Sequence, residues 1–402
     1  MTSLAVTGIG VLMTGDPEQG EGALGLVKDA ALVADGGVVV YAGPGAGAPL
    51  ATDERLDVAG RAVLPGFVDS HTHLVFAGDR AGEFVARMAG RPYRPGGIID
   101  TVRATRAAPA DDLRRRTGRL VAEARAAGTT TIEIKTGYGL DPDHEQAHLE
   151  LAAGFTDEVT FLGAHLVPPE FASDRAGYLD LLVGTMVPVA AGRARWCDVF
   201  CEEGAFDVDE SAAVLDAAGQ AGLGLRVHAN QLGPGGGVQL ACRMGAASAD
   251  HCTHLAPADI DALSGSATVA TLLPISDFCT RQPYPDGRAL LDAGVAVALA
   301  SNCNPGSSFS TSMPLALALA VRECGLTVDE ALLAATAGGA AALRRSDVGR
   351  LVPGRRADAV ILDAPHPHHL VYRLGAPLVW AVVQAGLPGG GAESHRAGRP
   401  VS

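Results

Sequence analysis

Aromatic side chains supply only 4% of this 402-residue sequence, and its positive charge is carried almost wholly by arginine. The formal net charge of −14 argues against a nucleic acid or an anionic membrane as partner. No apolar run reaches the roughly 18 residues that a membrane span needs, and no basic segment followed by an apolar one opens the chain. A soluble, cytoplasmic protein is the expectation. The seven cysteines, at 197, 201, 242, 252, 279, 303 and 324, are odd in number and include no Cys-x-x-Cys pair. Neither a disulfide framework nor a structural zinc cluster is therefore expected. Hydrophobic residues, in contrast, reach 48%, which suits a large core of helices packed on a sheet and gives no sign of disorder. A single core seldom exceeds about 250–300 residues, so one large domain and one smaller one are expected.

Both ends of the chain read as β-rich. Asp35-Gly36-Gly37 lies between two β-rich runs as a hairpin signal, and Ala357–Asp363 and Leu378–Ala385 are strand candidates near the other end. Residues 1–61 and 348–402 are expected to build one small composite β-sandwich. Between them, 62–347 alternates strands with helices. Apolar runs recur at 62–68, 129–135, 159–165, 196–201, 224–228, 246–251, 267–273 and 295–300, separated for the most part by amphipathic patterns with Asp in the first turn and Gly past the end. A final helical pair, 313–324 and 328–344, follows the eighth run. Eight alternations predict an α/β fold of the (β/α)8, TIM-like barrel type. An open doubly wound sheet is the alternative, but no Gly-x-Gly-x-x-Gly follows the first strand.

The chain is organised around Pro65-Gly-Phe-Val-Asp-Ser-His71-Thr-His73. Residues i and i+2 of an extended chain share a face, so His71 and His73 point the same way, as two imidazoles of a metal site would. The bland reading is a pair of polar residues leaving a buried strand. The other strand ends weigh against it. His165, Glu202 and Glu203, His228, His251, and Ser301-Asn302 fall there, and five of the twelve histidines lie at strand ends. A barrel collects its catalytic residues at that end.

This pattern resembles the amidohydrolase superfamily, whose members hydrolyse C–N bonds with one or two metals. The closer motifs resemble the imidazolonepropionase family, the cyclic-amide hydrolases of histidine degradation. They are Phe67–Arg80, Gly96–Arg106, Lys135-Thr-Gly-Tyr-Gly-Leu140, Phe161–His165, Arg226–Leu232, Ser248–His251 and Asn304-Pro-Gly-Ser-Ser308. The resemblance implies that His71, His73 and His228 ligate one divalent metal ion, Zn2+ or Fe. Arg80 would clamp the substrate carboxylate, for which a bidentate guanidinium is suited. Tyr138 and His165 would bind the ring and polarise its carbonyl, Gln231 would meet the ring nitrogens, and Asn304, Gly306 and Ser307 would bind product or propionate. His251 would assist proton transfer or line the site. The implied reaction converts 4-imidazolone-5-propanoate to N-formimidoyl-L-glutamate, in a homodimer with no organic cofactor. A second metal, bridged by a carboxylated lysine or a strand-four glutamate, is the alternative. Lys135 falls on strand two, a poor place for that bridge, and Glu202 is better placed.

One position departs from the resemblance. Where the family carries a metal-ligating, proton-accepting Asp after strand eight, this chain has Asn302. An amide oxygen ligates weakly and takes no proton at neutral pH. Three explanations stand at this point: another base, His251 or Glu202; a low-activity variant; or a barrel that binds ligand without turnover. Another cyclic amidase or an aminohydrolase remains the rival within the same fold. Asn230-Gln231 is a lesser departure, since an acid is expected near there.

Overall fold

In chain order the strands are β1 (Ser3–Met13), β2 (Leu26–Asp35), β3 (Val38–Pro44), β4 (Glu54–Asp57) and β5 (Ala62–Pro65). Then come β6 (Phe67–Asp69), β7 (Thr129–Lys135), β8 (Glu158–Ala164), β9 (Trp196–Cys201), β10 (Gly224–Ala229), β11 (Ser248–His251), β12 (Val269–Leu272) and β13 (Val297–Leu299). The last three are β14 (Ala359–Leu362), β15 (Val379–Gln384) and β16 (Leu387–Pro388). This computed structural model describes residues 3–91 and 97–388. Gly96, in one of the motifs above, and the last part of the 348–402 segment lie outside the described residues.

Strands β6 to β13 form one sheet in sequence order, with parallel pairing throughout. Helices cover their outer face, so these strands are buried on both sides. Every residue of β7, β8 and β9 is buried, which explains their nearly continuous apolar runs. Asp141, Asp174 and Asp207 cap helices Pro142–Ala153, Arg175–Leu181 and Val208–Gln220 by accepting backbone N–H groups. The remaining strands make a mixed sheet, ordered β16-β15-β14-β5-β1-β2-β3 with β4 on β1. Long β1 serves β4 along its first half and β5 along its second. Leu4, Ile9, Leu12, Val63 and Ile361 belong to a core separate from that of the barrel.

The opening run 62–68 was expected as one strand and is two. Gly66 passes the chain from sheet to sheet: its N–H donates to Asp358 O, and the next N–H, of Phe67, to Gly128 O. A Cβ at Gly66 would lie 2.1 Å from Thr130 Oγ1, so only glycine fits the crossing. The helix expected over 328–344 is Val328–Leu333 and Gly339–Ala342 joined by a π turn, Ala334–Gly338.

The outer strands of the parallel sheet, β6 and β13, do not pair as strands. Loop atoms close the seam between them. His73 N donates to Cys303 O at 2.9 Å, Asn302 N to His71 O at 3.0 Å, and Ser301 N to the Asp69 carboxylate at 3.0 Å. Lower down, Gly338 at the end of the π turn and Gly339 at the start of the next helix press on the two lips. Cβ atoms at Gly338 and Gly339 would lie 2.3 Å from Val297 O and 2.2 Å from Val68 O.

Candidate metal-dependent active site

His71 and His73 lie just past β6, in a stretch bridged at Thr72 to Cys303. His73 Nε2 is 3.2 Å from His71 Nε2 and 3.2 Å from His228 Nε2, which comes from β10. Two nitrogens bound tetrahedrally to one ion at about 2.0–2.1 Å are roughly 3.3 Å apart. The outer nitrogens fix the direction of the inner ones. His71 Nδ1 bonds to Asp250 Oδ2 at 2.7 Å, and His228 Nδ1 lies 3.0 Å from Asp198 Oδ2. With Nδ1–H turned to carboxylates, Nε2 carries the lone pair. Lone pairs that converge in a buried pocket repel unless a cation sits among them, so these residues fit a metal ion. Burial and the neighbouring positive groups hold the pKa values of His71 and His73 well below the usual range for imidazole, which keeps both neutral.

His251 joins the cluster, with a ring nitrogen within 4.8 Å of those of His71 and His228. Neighbouring strand residues face opposite sides, yet Asp250 and His251 both approach His71. A left-handed backbone at His251 (φ 81°) and Cys252 (φ 54°) ends the alternation there. Asn230 and Asn302, at the ends of their own strands, share that conformation, and such strain concentrates at functional sites. Asn302 Oδ1 is buried with no hydrogen-bond partner among the described residues. Burial also depresses the His251 pKa well below the ordinary value.

A pocket opens beside these imidazoles. Arg80, Tyr138, His165, Gln231, Asn302, Asn304 and Ser307 line it with His73, His228 and His251, and so do Ile98 and Phe200, which sequence reading did not single out. His165 Nδ1 lies 2.9 Å from Gly137 O, so Nδ1–H donates to that carbonyl. Burial, reinforced by nearby His228, lowers its pKa to about 3. Nε2 of this neutral ring is an acceptor, which corrects the expectation that His165 polarises a carbonyl.

Three further expectations change. Asn304 Oδ1 accepts from Gly306 N and Ser307 N, while Nδ2 donates to Asn302 O and Ser307 Oγ. That uses its whole hydrogen-bonding capacity within the loop, so the Asn304 side chain staples the loop where it lines the pocket. Gly306 does not line the pocket; its N–H goes to Asn304 and its carbonyl to Arg87. Glu202, an alternative base or metal bridge, turns aside to accept from Gln231 N and Leu232 N at 2.8 and 3.0 Å.

Below the histidines lies a layer that sequence reading missed. Lys135 Nζ is 2.8 Å from Glu133 and 2.8 Å from Asp198, and Arg226 Nη2 is 3.0 Å from Asp250, all with fully buried side chains. Burial alone would raise both aspartate pKa values. His228 and Lys135 hold Asp198, and Arg226 and His71 hold Asp250, well below the usual range. The available signal was charge inside apolar strand runs, such as Asp198 in Trp196–Cys201.

The amidohydrolase family model matches residues 62–386. An imidazolonepropionase of Streptomyces griseus is 59% identical over 387 residues, covering 96% of this chain and 99% of its own. One from Salinispora tropica is 60% identical over 390 residues, with the same coverage. A zinc-complexed atrazine chlorohydrolase from Arthrobacter aurescens shares the fold, with a TM-score of 0.70 at 18% identity over 96% of this chain and 94% of that one. The chain belongs to the amidohydrolase family and, within it, to the imidazolonepropionases.

Proposed function

We propose that this chain hydrolyses the cyclic amide of 4-imidazolone-5-propanoate to N-formimidoyl-L-glutamate. It would use one divalent ion, zinc or iron, held by His71, His73 and His228 with the Asn302 amide oxygen. One observation carries this reading: a pocket with neutral imidazoles converging at one side and Arg80 at another suits a small ring bearing a carboxylate. Such an ion supplies Lewis acidity, making water nucleophilic at neutral pH and polarising a carbonyl. A single ion is favoured because Lys135 and Arg226 already neutralise the carboxylates that a second would need.

The protein groups divide the remaining work. Arg80 binds the propionate, Tyr138 packs against the ring, and His165 Nε2 accepts from a ring N–H. The Gln231 side chain, on a backbone fixed by Glu202, meets the other ring nitrogen. Water adds across the C–N bond, hydroxyl to carbon and proton to the departing nitrogen. Asn302 has no lone pair basic enough to move that proton. His251 lies buried beside the cluster and takes the proton before delivering it to nitrogen.

Asn302 also favours a second reading, a barrel that binds the ligand with little turnover. Zinc-loaded and iron-loaded protein mixed with freshly generated imidazolonepropionate, followed by its ultraviolet absorbance, separates the two. Substantial turnover by the unmutated chain supports the hydrolase. A rate no faster than buffer, restored by Asn302→Asp, supports the binding protein.

A further inference from the structure

We infer that Lys135 is a positioning residue: its buried ammonium aligns the histidine cluster through the carboxylates beside His71 and His228 and through the backbone between His71 and His73. Lys135 Nζ lies 2.8 Å from Asp198 Oδ2, and that same oxygen is 3.0 Å from His228 Nδ1. Nζ is also 3.9 Å from Asp250 Oδ2, the atom that meets His71 Nδ1 at 2.7 Å. Its third partner, Glu133 at 2.8 Å, accepts from the backbone N–H of Thr72, the residue between His71 and His73. Lys135 N itself donates to Thr72 O at 2.9 Å. One strand residue thus reaches each side of the cluster.

Charge explains why an ammonium is needed. Three buried carboxylates (Glu133, Asp198 and Asp250) face two buried cations (Lys135 and Arg226), a net charge of −1 beneath the imidazoles. Without Lys135 the imbalance doubles, and the repelling carboxylates no longer converge on the histidines. Arg226 cannot substitute, because its guanidinium is committed to Asp250 and to the carbonyls of Ser70 and Ala342. A glutamine at 135 reaches nearly as far but brings no charge.

The inference rests on the metal reading of the histidines, and cobalt(II) tests the two separately. Full-length protein, stripped with a chelator, is titrated with Co2+ while its d–d absorption is recorded. Wild type is expected to take up one Co2+ per chain with the d–d spectrum of four- or five-coordinate cobalt. Lys135→Gln should weaken uptake by about 10–100-fold, the usual scale for loss of a group that orients a ligand, and should change the band shape. Lys135→Arg should recover much of both. If Lys135→Gln does not fold, Asp198→Asn interrupts the same connection from its other end and should show the same loss. A folded Lys135→Gln or Asp198→Asn with lower Tm but wild-type affinity and spectrum would overturn the proposal. Wild-type protein that takes up no cobalt would overturn the metal reading, and this proposal with it.

Discussion

Arg80 faces the pocket already paired with Glu83: its Nε and Nη2 meet the two carboxylate oxygens at 2.7 Å each. The pair fixes the guanidinium plane on helix Ala81–Met88 and its N-cap. Arg80→Gln should lower kcat/KM for imidazolonepropionate by about 10–100-fold, equivalent to charge-assisted hydrogen bonds of about 1.5–3 kcal/mol. Glu83→Ala keeps the charge but frees the plane, so KM should rise while kcat changes little. Steady-state kinetics with unchanged kcat/KM in Arg80→Gln would remove Arg80 as the clamp.

Gly306 is required by space. A Cβ there would stand 2.1 Å from Arg80 Nη1 and 2.6 Å from Cζ. Gly306→Ala should therefore displace the clamp without touching the imidazoles, lowering kcat/KM by up to about 100-fold. Metal content should stay at the wild-type level. Loss of metal in this variant would mean that the loop supports the metal site instead.

His251 is the proposed proton carrier. His251→Ala should reduce kcat by about 10²–10⁴-fold, the usual range for a general base, with a smaller effect on KM. Near-wild-type kcat would exclude it. Asn302→Asp in the same background would then show whether a carboxylate restores the function.

Asp277 links stability to pH. Burial pushes its carboxyl up to about 8, against an opposing hydrogen bond from Thr253. Between about pH 4 and 8 the folded chain holds a proton that the unfolded chain has released, so stability falls as pH rises through this window. Asp277→Asn keeps an acceptor for Thr253 and cannot ionise. Its Tm, relative to wild type, should increase steadily from pH 5 to pH 8. Parallel Tm curves would rule out this contribution.

The barrel strands were legible because burial on both faces writes them as uninterrupted apolar runs, and 129–135 and 196–201 coincide with β7 and β9. The histidines were legible because they stand where those runs end. The split at Gly66 was not, since Pro-Gly punctuation does not say that the chain changes sheets. Helix Ala81–Met88 was missed although its sequence is amphipathic: it is short, and its Phe84, Val85 and Met88 stay exposed, which only the coordinates show. The Lys135 layer was missed for a different reason: its members lie far apart in sequence, and only the closed barrel makes them neighbours. Asn302 stood out in the sequence as a departure from the resemblance, whereas the commitments of Asn304, Gly306 and Glu202 to the loops needed coordinates.

The seam between β6 and β13 has a consequence for biosynthesis. Its contact between Ser301 and Asp69 spans 232 residues, and Asn302 meets His71 across the same seam. His71 and His73 leave the ribosome early, yet their geometry is completed only when the eighth strand arrives. A nascent chain short of residue 303 has imidazoles without the backbone partners that set them, so the competent site is among the last features to form.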